Sequence, residues 1–395
     1  MSTQFELSDD HQDLRAVVAD FARNEVAPNA ARWDREHTFP LETVQKMGEL
    51  GLFGLHAPEE FGGTGDFTGL CVAIEELGAV DQSLGITLEA GVGLGINPIV
   101  NFGTQEQKDR WLPDLVAGKA LAGFGLTEPE AGSDAGATRT KAELTDGEWV
   151  VNGAKQFITN SGTDITSVVT VTARTGTRED GRPELSAIMI PNGTEGFTVE
   201  PAYDKLGWHA SDTHPLTFEN VRVPEANLLG PRGRGYAQFL STLDDGRVAI
   251  AALGLGCVRA CRDLAVEYAG TRQSFGGPIG RKQGVAFQLA DLDVAAHVGH
   301  LLVYSAAAMK DAMPAQPSKK QLAAYKRAAA IAKLHTSEAA VTATRIAAQI
   351  FGGYGFIEEY PVARFYRDAK ILEIGEGTSE VQRMLIARGL GLPVE

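Results

Sequence analysis

The period of the hydrophobic pattern changes twice along this chain, and that double switch narrows the possible folds more than any motif does. From about Leu7 to Leu121 apolar residues recur at helix spacing, as in Leu14, Val17, Val18 and Phe21. Pro28, Pro40, Pro58 and the Gly62-Gly63 pair divide these segments. From about Ala122 to Gly230 the signal is β. Residues 148–153 read as a strand ending in a turn at Asn152-Gly153, and further runs cover 166–173, 185–190, 197–200 and 216–223. After Gly235 the pattern predicts long alanine-rich helices over roughly 237–269, 284–313, 319–351 and 378–390.

Short strands without intervening helices favour an antiparallel barrel or sandwich over a doubly wound sheet. Long helices with short connections favour an antiparallel bundle. The expectation is an α+β multidomain chain, with domains at residues 1–121, 122–231 and 232–395.

Charge and cysteine content remove several functions. Asp and Glu outnumber Lys and Arg by 51 to 36, so a nucleic-acid partner is not expected. Three cysteines, Cys71, Cys257 and Cys261, imply no disulfide framework, and Cys257 and Cys261 read as small core residues. His297 and His300 share a helix face without an HExxH pattern, so no metal site is expected. No apolar run approaches the roughly 20 residues that span a bilayer. Residues 1–10 are polar and lack leader character. A cytoplasmic protein with no membrane partner is the expectation.

Glu376 stands between Gly375 and Gly377, just before a helix that Thr378 can cap. Such an acid either complements the helix dipole or is placed as a catalytic base, with glycines that let the backbone approach a ligand. Residues 125–134, Gly-Leu-Thr-Glu-Pro-Glu-Ala-Gly-Ser-Asp, offer amides and hydroxyls suited to a flat heterocycle or a phosphate, or form an ordinary polar turn. Phe157-Ile158-Thr159-Asn160 supplies an aromatic face and a hydroxyl, or a plain strand end. Asp244-Asp245-Gly246-Arg247, at the opening of a long helix, reads as a ligand-binding arginine or a solvated charged turn. Arg272 beside Phe275 suits a pyrophosphate with an attached purine. The three glycines of residues 349–355 admit a bulky ligand or end a helix. Gly91, Gly93 and Gly95 have the wrong spacing for a dinucleotide fingerprint and read as a loop or close helix packing.

In this order, Leu126-Thr-Glu-Pro with Gly132-Ser-Asp, Ile158-Thr-Asn, Arg272 with Phe275-Gly, Gln349 with Gly352-Gly, and Glu376-Gly-Thr resemble the acyl-CoA dehydrogenase family over residues 5–389. The short-chain and branched-chain members look most similar. The resemblance implies an N-terminal helical domain, a middle antiparallel β-barrel and a C-terminal four-helix bundle, assembled as a homotetramer with one FAD per subunit.

By the same resemblance, Phe124, Leu126, Thr127, Phe157, Ile158 and Thr159 line the isoalloxazine ring. Arg272, Phe275, Gln283, Gln349 and Gly353 hold the ADP half across a subunit interface, and Thr378 and Glu380 lie beside the cofactor. Ser133 adjoins both cofactor and substrate, and Asp244, Arg247 and Gly377 map onto positions that contact the acyl-CoA. The implied reaction removes an α-proton with Glu376 while a β-hydride passes to flavin N5, giving the trans-2-enoyl-CoA. Hydrogen bonds from the Glu376 amide and a ribityl hydroxyl stabilise the enolate-like oxygen. Electrons then pass to an electron-transfer flavoprotein.

Some members carry the base at the position of Gly246, which cannot serve, so Glu376 is the matching candidate. Three positions depart from the usual pattern. Phe157 replaces a tryptophan, Glu130 a glycine, and Gly375 a tyrosine whose loss widens the acyl pocket and leaves branched chains open. Two alternatives stand beside this one. An acyl-CoA oxidase or flavin monooxygenase could use the same scaffold, although a monooxygenase has no need of Glu376. A catalytically silent acyl-CoA-binding subunit would be expected to lose Glu376 or Arg272.

Overall fold

A computed structural model describes residues 6–394; Glu395 and the first half of the polar stretch 1–10 lie outside the described residues. The N-terminal helices are α1 (Asp9–Phe21), α2 (Ala27–Glu36), α3 (Leu41–Glu49), α4 (Phe67–Gly78), α5 (Gln82–Glu89), α6 (Asn97–Phe102) and α7 (Gln105–Val116). Ser8, Asp66, Asp81 and Thr104 start α1, α4, α5 and α7 by accepting otherwise orphaned backbone amides. A π-helical turn at Ala90–Ile96 joins α5 to α6. Here a Cβ on Gly91 would come within 2.7 Å of the Phe53 ring and one on Gly95 within 3.0 Å of the Ala122 carbonyl, so these two glycines serve close packing.

The middle region holds β1 (Leu121–Gly125), β2 (Lys141–Thr145), β3 (Glu148–Thr159), β4 (Thr166–Thr177), β5 (Pro183–Pro191), β6 (Phe197–Val199), β7 (Thr213–Pro224) and β8 (Leu228–Leu229). Their order is β6-β7-β3-β2-β4-β5-β8, with β1 paired to β4. The expected antiparallel barrel needs correction. β1 and β2 both meet β4 in parallel, and among the described residues the path ends at β6 and β8 without closing. β1 escaped the pattern because every one of its residues is buried, so it shows no two-residue alternation. The expected turn at Asn152-Gly153 is a bulge inside one long strand, where Gly153 (φ 147°) presses against Thr140.

The chain then enters α8 (Gly235–Thr271), a short hairpin of β9 (Gln273–Ser274) and β10 (Gly277–Pro278), α9 (Gln283–Asp311), α10 (Lys319–Phe351), α11 (Val362–Asp368) and α12 (Ser379–Gly389). Helices α8, α9 and α10 pack pairwise, and α12 lies along α10. One hydrophobic core runs from Val18 to Leu372, so the two helical regions share an interior, while the sheet keeps a second core around Trp149 and Phe218. Among the described residues two helical runs are apolar and long enough to cross a bilayer, where none was expected: Gln82–Phe102, which is core, and Gln283–Asp311, which is only partly buried.

Candidate active site

Thr378 caps α12 by accepting from the Val381 amide, which fixes where the preceding loop must leave the helix. Glu376 (φ 53°) and Gly377 (φ 91°) are both left-handed. That conformation costs a non-glycine residue on the order of 1–3 kcal/mol and persists only where the surroundings hold it. Its effect is to turn the Glu376 side chain inward. Both carboxyl oxygens are buried and lack a hydrogen-bond partner, although the residue as a whole is half-buried.

The carboxyl lies against Gly246 of α8, and the carboxyl of Glu89, the last residue of α5, comes near the same Cα face of that glycine. Glu89 is fully buried, and apart from the facing Glu376 carboxyl its two oxygens have no partner. Burial and the facing Glu376 carboxyl push Glu89 well above the ordinary carboxylate range, so of the two acids Glu89 is the one more strongly biased towards its neutral form. Burial also raises Glu376, while the Glu89 carboxyl, Lys333 and Arg247 pull it back. The site thus holds a buried carboxyl faced by a second carboxyl and by two cationic side chains.

Asp244 and Arg247 do not form a solvated turn at a helix opening. α8 begins at Gly235, seated against the Ser186–Ala187 backbone, so both residues fall well inside the helix and are buried. They pair with each other, and Lys326 approaches Asp244 at 3.0 Å. The Arg247 Nε is buried without a partner, a donor free for a ligand. Neighbouring Asp245 is taken up by Lys310 and the Tyr325 hydroxyl, each at 2.7 Å.

A second group gathers where β1 and β3 end. Phe124 stacks on Phe239, and Phe124, Leu126 and Ile158 belong to the cores, leaving chiefly their main chain for a ligand. Thr127 and Thr159 are half-buried, and the Thr127 carbonyl accepts from the Gln156 amide at 2.9 Å. Phe157 is left-handed (φ 61°) and presents a ring that is 64% exposed. Asn160 donates to the Thr87 carbonyl at 3.1 Å, tying this strand end to the helix that carries Glu89. Beneath the loop, buried Lys155 donates to Glu128 (2.7 Å) and to the Leu126 carbonyl (3.2 Å). Glu128 also accepts the Arg139 and Thr140 amides. Glu130, which had no sequence rationale, pairs with Arg139 across the exposed loop that holds Ser133.

A third group lies at the other end of the bundle. Arg272, Phe275, Gln283, Gln349 and Gly353 are all exposed, and Arg272 stands 5.7 Å from the centre of the Tyr354 ring. Arg272, at the end of α8, lies about 39 Å along that helix from Gly246. A Cβ on Gly352 or Gly353 would meet nothing within 4 Å. That open backbone and the uncovered Phe157 ring fit a large, partly flat cofactor. Thr378 is occupied as a cap, and Glu380 is exposed beside it.

Sequence reasoning passed over Glu89, Lys333, Gln382 and the Lys155–Glu128 pair. The available signal was a lone charge in an apolar run, as in Leu84-Gly-Ile-Thr-Leu-Glu89 and Ala330-Ile-Ala-Lys333-Leu.

Residues 8–119, 123–221 and 233–391 match the N-terminal, middle and C-terminal domains of acyl-CoA dehydrogenase. The chain is 46% identical over 387 residues to the probable acyl-CoA dehydrogenase YngJ of Bacillus subtilis, covering 98% of this chain and 99% of that one. It superposes on the solved butyryl-CoA dehydrogenase of Megasphaera elsdenii with a TM-score of 0.93 at 40% identity, covering 99% of this chain and 100% of the other. A chain from a structure described as the electron transferring flavoprotein of Acidaminococcus fermentans gives a TM-score of 0.92 at 39% identity, covering 98% and 99% respectively.

Proposed function

The chain belongs to the acyl-CoA dehydrogenase family, and on that premise we propose that it oxidises a short- or branched-chain acyl-CoA to the trans-2-enoyl-CoA. Members of the family are FAD flavoproteins and oxidoreductases acting on CH–CH groups. The observation that carries the proposal is the buried, unpartnered carboxyl of Glu376 between Gly246 and Glu89.

An α-proton beside a thioester is weakly acidic, so its removal needs a base with little water around it. Glu376 meets that need and takes the proton. Arg247 and Lys333 favour its ionised form, as does the facing Glu89 carboxyl, which burial biases towards the neutral form. The unpartnered Arg247 Nε supports a role for Arg247, with the Gly377 backbone, in orienting the acyl-CoA. Thr127, Phe157 and Thr159 would hold the ring of FAD, and Arg272, Phe275, Gln283, Gln349 and Gly353 its ADP half. FAD, when bound, supplies the hydride acceptor for the β-carbon.

The distance from Gly246 to Arg272 favours the second set serving the cofactor of a neighbouring copy. The exposed stripe Phe287, Val294 and Leu301 on α9 supports such self-association, in keeping with a homotetramer. An electron-transfer flavoprotein as acceptor is supported by the likeness to the Acidaminococcus fermentans chain. Gly375, where a Cβ would make only ordinary contact with Ile371, leaves room for a branched acyl group.

The deciding experiment is anaerobic addition of short, medium, branched and aromatic acyl-CoAs to the yellow protein. Bleaching by short or branched members is expected, and a flavin that none of them reduces would end the proposal.

A further inference from the structure

Glu376 points inward only because two consecutive left-handed residues make it do so, and no helix or strand hydrogen bond maintains that turn. Two buried donors converge on it instead. Lys333, in the middle of α10 and fully buried, reaches out to the Gly377 carbonyl at 2.7 Å. Gln382, on the first turn of α12 and also fully buried, folds back to the same carbonyl at 2.9 Å and to that of Glu376 at 3.4 Å.

We propose that Lys333 is a positioning residue for the base: its grip on the Gly377 carbonyl, shared with Gln382, holds the turn that aims the Glu376 carboxyl at the acyl site. The proposal deepens the reading of Glu376 as base and rests on it. A lysine is an expensive choice for a mere tie between helices. Burying an ammonium costs far more than burying an amide, and Gln382 shows that an amide reaches the same oxygen.

What lysine adds is charge. Glu376 is faced by Glu89 from α5, Arg247 from α8 and Lys333 from α10. Lys333 is itself faced by Arg247, Glu373 and Glu380. Burial lowers Lys333 to about 8, which leaves it largely protonated at neutral pH and able to favour the Glu376 carboxylate. Position and charge therefore come from a single side chain. Because two donors occupy the Gly377 carbonyl, that glycine can offer an acyl-CoA its amide and Cα but not this oxygen.

The test is stopped-flow flavin reduction of the holoenzyme across pH, using whichever of butyryl-CoA and isobutyryl-CoA reduces the wild type faster. Lys333→Met keeps the stem and removes the charge. It should lower the limiting rate about 10- to 100-fold, the penalty of a base roughly an ångström out of place. Affinity for the acyl-CoA should change little, and the acid limb should move to higher pH, because the carboxylate has lost a cation. Lys333→Arg should return the limb towards its wild-type position, while Gln382→Leu should slow reduction without moving it.

Wild-type rates and an unmoved limb in flavin-loaded Lys333→Met and Gln382→Leu would overturn the proposal. So would lower flavin content and melting temperature with a normal rate per bound flavin, the mark of a purely structural tie. If Lys333→Met does not fold, Gln382→Leu and Lys333→Arg decide by the same criteria. Glu376→Gln is run in parallel. If it still reduces flavin, the base is misassigned; if it does not, the Lys333 result stands on its own.

Discussion

The Glu376 carboxyl rests on Gly246 so closely that a Cβ there would collide with its Oε2. The obstructing atom is the end of a movable side chain, whereas the α8 backbone is indifferent to a methyl group. Gly246→Ala should therefore fold normally and gain up to about 1 kcal/mol in helix stability. It should also displace the carboxyl and slow flavin reduction about 100-fold. Melting temperature and stopped-flow reduction, read together, check this. A stable variant with an undiminished rate would show that the carboxyl need not sit there.

Glu376→Gln is nearly isosteric and cannot accept an α-proton. Flavin content and acyl-CoA binding should persist, and anaerobic bleaching should be lost. Spectral titration of the purified variant separates the two effects.

The Glu89 proton gives stability a pH dependence of predictable sign. In the unfolded chain this carboxyl ionises near 4.5, whereas burial and the facing Glu376 keep it protonated well above that in the native protein. Between those limits the native state binds more protons, so this group's contribution weakens as pH rises. Glu89→Gln removes the dependence, and its stability relative to wild type should be greater at about pH 8 than at about pH 5. Urea unfolding at both values is the measurement. Equal differences would mean that Glu89 is not held neutral.

Lys155 and Glu128 form a buried pair that pins the loop bearing Thr127 to β3 and β4. Lys155→Met strands a carboxylate in the interior, a loss on the order of 3–5 kcal/mol. Denaturation should show that loss, accompanied by weaker flavin retention. A change below about 1 kcal/mol would mean that the amides of Arg139 and Thr140 suffice.

Arg272 is exposed, so its removal should leave the fold within about 0.5 kcal/mol of wild type. Arg272→Ala should instead lower the FAD content of the purified protein. Full flavin occupancy after gel filtration would contradict an ADP-binding role.

Several features are legible in the sequence itself. The helical period marked α10 at residues 319–351, where it runs, and Thr378 was recognisable as the cap that sets Glu376 just outside α12. These follow from interactions between residues three or four apart, which a linear pattern records directly. β1 was not legible, because a strand buried on both faces has no alternation to show. Nor was the burial of Asp244 and Arg247, since charged residues on a helix read as solvent-facing until another helix covers them.

The chemistry divides along the same line. Sequence alone determined that an acid stands between two glycines ahead of a helix. Tertiary packing alone decided that this acid turns inward, meets Glu89 and Lys333, and loses its water. Those partners come from α5 and α10, far apart along the chain, and the low-polarity interior that lets their charges act on one another exists only once the helices have closed around it.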